Sequence, residues 1–390
     1  MPAVDSERAY AQRVRGLGTT IFAEMSELAR RTGAVNLGQG FPDTDGPPEV
    51  IEAAVQALRT GRNQYAPGPG VPELRTAIAD HQRRCYGIDL DPMSEVVVTT
   101  GATEAVAAAL LGLVDPGDEV VVLEPYYDSY VAGIQMAGGA RRPVTLRAPD
   151  FRLDVDALRA AITPRTRLVL LNSPHNPTGT VLTRDELSAV AELAIEHDLL
   201  VVTDEVYEHL TYGAEHVPIA TWPGMAERTV TISSAGKTFS FTGWKVGWAT
   251  GPAHLVGAVA AAKQYLTFTS GAPLQPAVAT ALGLPDQVLV DLRVDLQRRR
   301  DLLCDGLSAL GLEVFVPAGT YFATTDISPL GYPDGTAFCL DLPTRAGVVA
   351  IPHQVFYDDA DAGRMLVRWA FCKRDQVLHE ALDRLTRAFG

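Results

Sequence analysis

TISSAGKTFSFTGWKVGWATG, residues 231–251, contains a Gly236-Lys237-Thr238 that matches the end of a phosphate-binding P-loop. A P-loop needs a glycine five places before its Gly-Lys pair, so that successive backbone N–H groups curl round phosphate, and a helix directly after it. That place holds Thr231, and the residues that follow, TFSFTGWKVGWATG, are aromatic, β-branched and punctuated by glycine. This is the pattern of a loop running into a strand. The P-loop reading is excluded, and Lys237 stands instead just past an apolar run, RTVTISS.

Similar runs recur along the chain. EVVVTTG precedes the alanine-rich, helix-forming ATEAVAAALLGLV, and DEVVVLEP, RLVLLNSP, LLVVTDEV and WKVGWATG are further short apolar segments, most of them ending in polar or turn residues. Continuous Val/Leu/Ile runs belong to strands buried on both faces, so the expectation is an α/β fold with a mostly parallel sheet covered by helices. This large domain spans roughly 46–285. A long amphipathic helix, QVLVDLRVDLQRRRDLLCDGLSALGL, then opens a smaller α+β domain over 286–390 that also carries LEVFVPAGTYFATTD, GVVAIPH and MLVRWAFCK. Residues 1–45 form an N-terminal arm and part of that smaller domain.

Length and composition agree with this division. A chain of 390 residues exceeds what one core usually serves, and 47% hydrophobic content supports large cores. No stretch of eighteen consecutive apolar residues is present, and MPAVDSERAYAQRVRGLG lacks the apolar segment of a secretory signal. The expectation is a soluble, cytoplasmic protein. A net charge of −14 argues against electrostatic attraction to nucleic acid or anionic lipid. Cys85, Cys304, Cys339 and Cys372 have no C-x-x-C spacing, which suggests reduced thiols rather than a disulfide framework or a zinc site.

In open α/β sheets, ligands sit beyond the carboxyl ends of the strands. Polar residues cluster just there: Gly101-Ala102-Thr103, Tyr126-Tyr127, Asn172 to Gly179, Asp204 to Tyr207, and Ser233 to Lys237. Singly, each has an ordinary explanation as a turn, a cap or a core aromatic. Jointly, a lysine, an aspartate, tyrosines, an asparagine and a helix start answer to pyridoxal phosphate chemistry. That chemistry uses a lysine to form a Schiff base with the cofactor aldehyde and an acid to pair with the pyridinium nitrogen.

The segment SSAGKTFSFTGWKVGW, with SPHNPTG upstream and TDEVYE between them, resembles the fold-type I, class I/II aminotransferases. The resemblance runs nearly the whole chain, from NLGQGFPD (36–43) through NQYAPGPGVPELR (63–75), GATEA (101–105) and EPYYDSY (124–130) to LVRWAFCK (366–373). It implies pyridoxal 5'-phosphate as cofactor, held covalently by Lys237, whose amine afterwards shuttles a proton. Asp204 would pair with the ring nitrogen, Tyr207 and Asn176 would hydrogen-bond the ring oxygen, and Tyr127, rather than Tyr126, would stack on the ring. Gly101, Ala102 and Thr103 at a helix start, with Ser234 and Lys245, would hold the phosphate. Arg368 would grip the substrate α-carboxylate, assisted by Asn176 and the backbone of Gly38. Tyr65 would reach the phosphate of a neighbouring subunit, which implies an obligate homodimer with shared active sites.

The resemblance is strongest to the bacterial N-succinyldiaminopimelate aminotransferases of lysine biosynthesis, with 2-oxoglutarate as the partner oxo acid. The kynurenine, glutamine and methionine aminotransferase branch is the alternative, as is a cysteine-conjugate C–S β-lyase with the same cofactor set. A succinylated dicarboxylate needs a second cation, for which Arg13, Arg15 and Lys263 are candidates. The aromatics Phe22, Tyr65, Tyr127 and Phe268 equally suit an aromatic or sulfur-containing substrate. An effector-binding half of a transcription regulator is a further rival, disfavoured because about forty residues precede the large domain and contain no helix-turn-helix.

Overall fold

The computed structural model describes residues 9–18 and 20–390. Seven strands build the main sheet: β1 (Val96–Thr99), β2 (Glu119–Glu124), β3 (Ala140–Thr145), β4 (Thr166–Asn172), β5 (Leu200–Asp204), β6 (Thr229–Ser234) and β7 (Gly247–Thr250). Their order is β1-β7-β6-β5-β4-β2-β3, and every pair is parallel except the two that β7 makes. Val120 and Val122 pack with Leu168 and Leu170 under the helices Gly101–Leu113 and Ala253–Leu266, while Val121, Leu123, Val169 and Leu171 pack under the helix Arg184–Glu196. Burial on both faces is why these strands read as unbroken apolar runs. Each such side chain stabilises the fold by about 1.5–3 kcal/mol.

The strand β3 has no apolar run in the sequence. Its residues are ARRPVT, with Pro143 and two arginines. It lies at the sheet edge, the one place where a strand tolerates a proline and keeps its charges in water. WKVGWATG does form a strand, but an antiparallel one, so its first residues lie at the rim where its neighbours end.

A four-stranded antiparallel sheet follows: β8 (Glu313–Phe315), β9 (Phe322–Asp326), β10 (Ile351–Pro352) and β11 (Leu366–Ala370), in the order β10-β11-β9-β8. The amphipathic helix before it covers Gln287–Ala309 and stops ahead of Gly311, whose φ of 79° is left-handed. Val35–Asn36 pair in parallel with Val348–Val349, and Met25, Ala29 and Leu37 enter the core formed by β9, β11 and the C-terminal helix Asp375–Phe389. All four cysteines are free. No described helix is long and apolar enough to cross a membrane.

Candidate active site

The strand register gathers the polar residues at one rim. Thr99 pairs with Gly247 and Gly247 with Ser234, and alongside them Asn172 pairs with Asp204. Because β7 runs backward, Lys245 returns to the edge that Lys237 has just left. The loop between them is tightly bent: Ser240 and Lys245 both have left-handed φ values, 61° and 55°. For a side-chain-bearing residue that conformation costs roughly 1–2 kcal/mol, of the kind kept where a site demands it.

Beyond this rim opens a cavity of about 950 Å³, lined among others by Ala102, Tyr127, Asn176, Asp204, Tyr207 and Lys237. Gly101, Thr103, Ser234, Lys245 and Arg368 also border it. Thus eleven of the thirteen residues anticipated from the sequence meet around one space. Tyr65 does not: it is 83% exposed and lies edge-on to Phe268, with ring centroids 5.4 Å apart, away from this cavity. Gly38 is the other exception, because it is buried behind Arg368. Its carbonyl accepts from Arg368 Nη2 at 2.8 Å, and its own N–H donates to Asn36 Oδ1 at 2.9 Å. Gly38 therefore positions the arginine instead of lining the cavity.

Lys237 sits in the one-turn helix Ala235–Thr238 directly after β6. Its Nζ donates to Tyr321 Oη at 2.8 Å, and that hydroxyl donates in turn to the Gly40 carbonyl. Burial lowers the Lys237 ammonium to about 8, which raises the share of nucleophilic amine at neutral pH. Asp204, at the end of β5, is 5% exposed, and burial raises its carboxyl to about 6. It accepts from Tyr130 Oη at 2.7 Å and from Val206 N at 3.3 Å, and among the described residues it forms no ion pair with Lys or Arg. The Asn172 amide fixes the same corner, donating to the Asp204 carbonyl at 2.8 Å and accepting from Asn176 N at 2.8 Å.

Arg368 lies in the middle of β11 and is 1% exposed. Its Nη1 donates to Asn176 Oδ1 at 3.0 Å, and its guanidinium lies 3.9 Å from the Phe322 ring centroid, with Phe22 and Phe356 on other sides. Burial lowers it to about 10, which still leaves it charged at neutral pH. Two of its five donors are fixed by Asn176 and Gly38, and the Nε–H has no partner among the described residues.

The rim around Gly101 is equally shaped. The thirteen-residue helix Gly101–Leu113 begins at the rim with unsatisfied amides. A Cβ on Gly101, at φ 73°, would lie 3.2 Å from Lys245 Nζ, and one on Gly247 would lie 2.5 Å from the Gly101 carbonyl carbon. Two glycines thus let the helix start, the strand β7 and the Lys245 ammonium converge.

This donor set fits pyridoxal phosphate: a buried carboxylate with no cationic partner for a pyridinium, a depressed amine for an aldehyde, and a cationic helix start for a phosphate. Tyr127 borders the space between them, whereas the neighbouring Tyr126 hydroxyl is taken up by Asp358. Sequence reasoning missed Tyr321 and Tyr130, the partners of Lys237 and Asp204. Tyr130 lay within the quoted EPYYDSY, and Tyr321 opens no motif and stands 84 residues from the lysine that it holds. Of the candidate second cations, Lys263 is excluded from its own chain's cavity: it is buried and donates to the Phe268 carbonyl at 2.8 Å.

The family model for aminotransferase class I and II matches residues 32–385. A probable N-succinyldiaminopimelate aminotransferase of Mycobacterium tuberculosis is 56% identical over 96% of this chain and 97% of its own length. The solved structure of N-succinyldiaminopimelate aminotransferase from that organism superposes with a TM-score of 0.95, covering 97% of this chain and 100% of the other. The methionine aminotransferase of Escherichia coli is 41% identical over 95% of this chain and 96% of its own length. With this cavity at the sheet rim and these relatives end to end, the chain belongs to the class I and II aminotransferases, enzymes that work with pyridoxal phosphate.

Proposed function

We propose that the protein moves an amino group between N-succinyldiaminopimelate and 2-oxoglutarate, a step of lysine biosynthesis. The observation that carries the reading of the site is the convergence of Lys237, Asp204 and Arg368 on one cavity. The choice of substrate is supported by 56% identity across nearly the whole chain to the relative named for it.

When bound, pyridoxal phosphate supplies an electrophilic aldehyde and a ring that accepts electrons from the substrate α-carbon. Lys237 would provide the amine that holds it and, once freed, would carry the substrate α-proton. Asp204 would pair with the ring nitrogen, and its burial would strengthen that charge-assisted pair. Tyr207 and the Asn176 amide would hydrogen-bond the ring oxygen, and Tyr127 would stack on the ring. Arg368, aligned by Gly38 and Asn176, would take the substrate α-carboxylate. The Gly101-Ala102-Thr103 helix start, Ser234 and Lys245 would hold the phosphate.

The methionine and kynurenine type of specificity is favoured by a separate observation. Among the described lining residues, Lys237, Lys245 and Arg368 are the basic ones, and each has a role already. The others include Phe22, Phe322 and Phe356, apolar and aromatic. A succinyl carboxylate must then draw its cation from Arg13 or Arg15, which are exposed on the segment leading into the Gly16–Gly18 wall, or from another subunit.

The same proposal places the protein in the cytoplasm as an obligate homodimer, with Tyr65 completing the neighbour's phosphate site and domain limits at 46 and 285. Tyr65, Tyr265, Leu266 and Phe268 are all exposed, an apolar group that a partner would cover. The test is the visible spectrum of the holoprotein with L-glutamate alone, followed by an acceptor and donor panel. Loss of the yellow band with glutamate, and its return with succinylated amino-oxopimelate, is the expected result. Turnover of methionine or kynurenine with no response to the succinylated compound assigns the other branch. Pyruvate released from a cysteine conjugate without any oxo acid assigns a lyase.

A further inference from the structure

A second group of reactive side chains gathers where the helix Pro72–Tyr86 meets the loop after β5. His81 and Cys85 are four residues apart on this helix and so share a face. The loop contributes His209 and Glu208. Donor atoms of His81, Cys85 and His209 all lie within 4.8 Å of one another, with His81 Nε2 and His209 Nε2 2.8 Å apart and their rings at 84°. Glu208 Oε2 is 4.0 Å from His209 Nε2. None of the four lines the cavity.

The charges here are unbalanced. Glu208 is 4% exposed, and its side chain accepts from the Ser233 hydroxyl. The nearby Glu205 has its own partner in His216, at 2.9 Å. Among the described residues no Lys or Arg forms an ion pair with Glu208. A buried carboxylate facing two imidazoles and a thiol, with no Lys or Arg among the described residues to pair it, is a donor set short of a cation.

We propose that His81 Nε2, His209 Nε2 and Cys85 Sγ bind one divalent ion of the zinc class per chain, with water in the fourth place and the Glu208 carboxylate balancing charge beside it. Two imidazoles, a thiolate and a carboxylate balance a dication, and mixed N, S and O donors suit tetrahedral Zn²⁺ or Co²⁺. Cys85 releases its proton to solvent as the metal–sulfur bond forms. Tetrahedral bonds of about 2.0–2.3 Å place donors roughly 3.3–3.8 Å apart, so the imidazole nitrogens separate by about half an ångström on binding. Cys85 and His209 are only partly buried, which gives the ion a way in. Scattered cysteines suggested no zinc site in the sequence; the fold brings one of them to two histidines 128 residues apart. Bound metal would pin the loop that carries Tyr207, directly after Asp204, to the helix Pro72–Tyr86.

The test is a titration of chelator-treated holoprotein with Co²⁺. The expected result is one equivalent per chain, with a thiolate-to-metal band in the ultraviolet, d–d bands to the red of the cofactor, and displacement by Zn²⁺. In Cys85→Ser, an isosteric change, the thiolate band disappears. In His209→Ala, affinity for Co²⁺ falls at least about tenfold. Both variants keep the glutamate half-reaction of the chelated parent protein, which also certifies their fold. Substoichiometric binding by the parent protein, or a Cys85→Ser spectrum identical to the parent's, overturns the site. Because the readout is metal binding, this result stands apart from any finding about the amino-acid substrate.

Discussion

Burying the Asp204 carboxylate weakens the cofactor-free fold. Burial pushes its carboxyl up to about 6 in the folded chain, from an ordinary 3.8. Below about pH 4 it is protonated in both folded and unfolded chains and costs nothing. Between about 4 and 6 only the unfolded chain releases the proton, so stability falls as pH rises, and above 6 the full penalty of about 3 kcal/mol applies. Asp204→Asn should therefore stabilise the cofactor-free protein at pH 7.5 by up to about 3 kcal/mol, an advantage that fades as pH drops towards 4, while turnover falls by orders of magnitude. Denaturant melts at several pH values check the first part. Lys237→Ala should lower turnover at least roughly 10³-fold in a protein that still folds. Tyr321→Phe removes an acceptor that favours the Lys237 ammonium, so the pH at which cofactor capture levels off, about 8 in the parent protein, should move lower. Arg368→Lys forfeits the planar fork, and the KM for amino acid should rise about 10–100-fold, the worth of a charged hydrogen bond. Lys237, Asp204 and Arg368 were legible because their chemistry dictates residue type and place. Tyr321 and Tyr130 act only through a partner, and nothing local in the chain marks that relation.

Strands buried on both faces betray themselves as apolar runs, which is why β1, β2, β4, β5, β6 and β7 could be read directly. The strand β3 could not, since an edge strand needs neither an apolar run nor a free N–H at Pro143. The reversed direction of β7 was hidden for another reason: composition records burial, whereas strand direction depends on the connection. That direction brings Lys245 beside the helix start at Gly101, the phosphate cup proposed above, and its weak point is Gly247. Gly247→Ala places a methyl 2.5 Å from the Gly101 carbonyl carbon, so strand and helix start must part. Affinity for pyridoxal phosphate should fall at least about tenfold, while far-ultraviolet dichroism stays that of the parent protein. Unchanged cofactor affinity would show that the helix start at Gly101 is not the phosphate site.

At the level of the whole molecule, Tyr65 is the residue whose exposure asks for a second copy. Tyr65→Ala should lower cofactor affinity in solution while the dimer persists, and a parent protein that sediments as a monomer at assay concentration would remove the shared-site role. Composition bounded this scale only loosely, because charge and length constrain solubility and domain number but not contacts between subunits. The pairing of Val35–Asn36 with Val348–Val349 has a consequence for synthesis. Gly38 and Gly40, which brace Arg368 and the Lys237–Tyr321 pair, leave the ribosome first, yet their partners emerge near the end. At about 5–20 residues per second, the 120 residues between Thr250 and Ala370 take roughly 6–24 s to translate. Through that interval a nascent chain already holds Lys237 and Asp204 but lacks Arg368, and its arm with Met25 and Leu37 lacks the larger, C-terminal part of the core that buries it. A ribosome stalled there releases a polypeptide that carries the chemistry without the recognition, and its unburied arm makes it a client for chaperones.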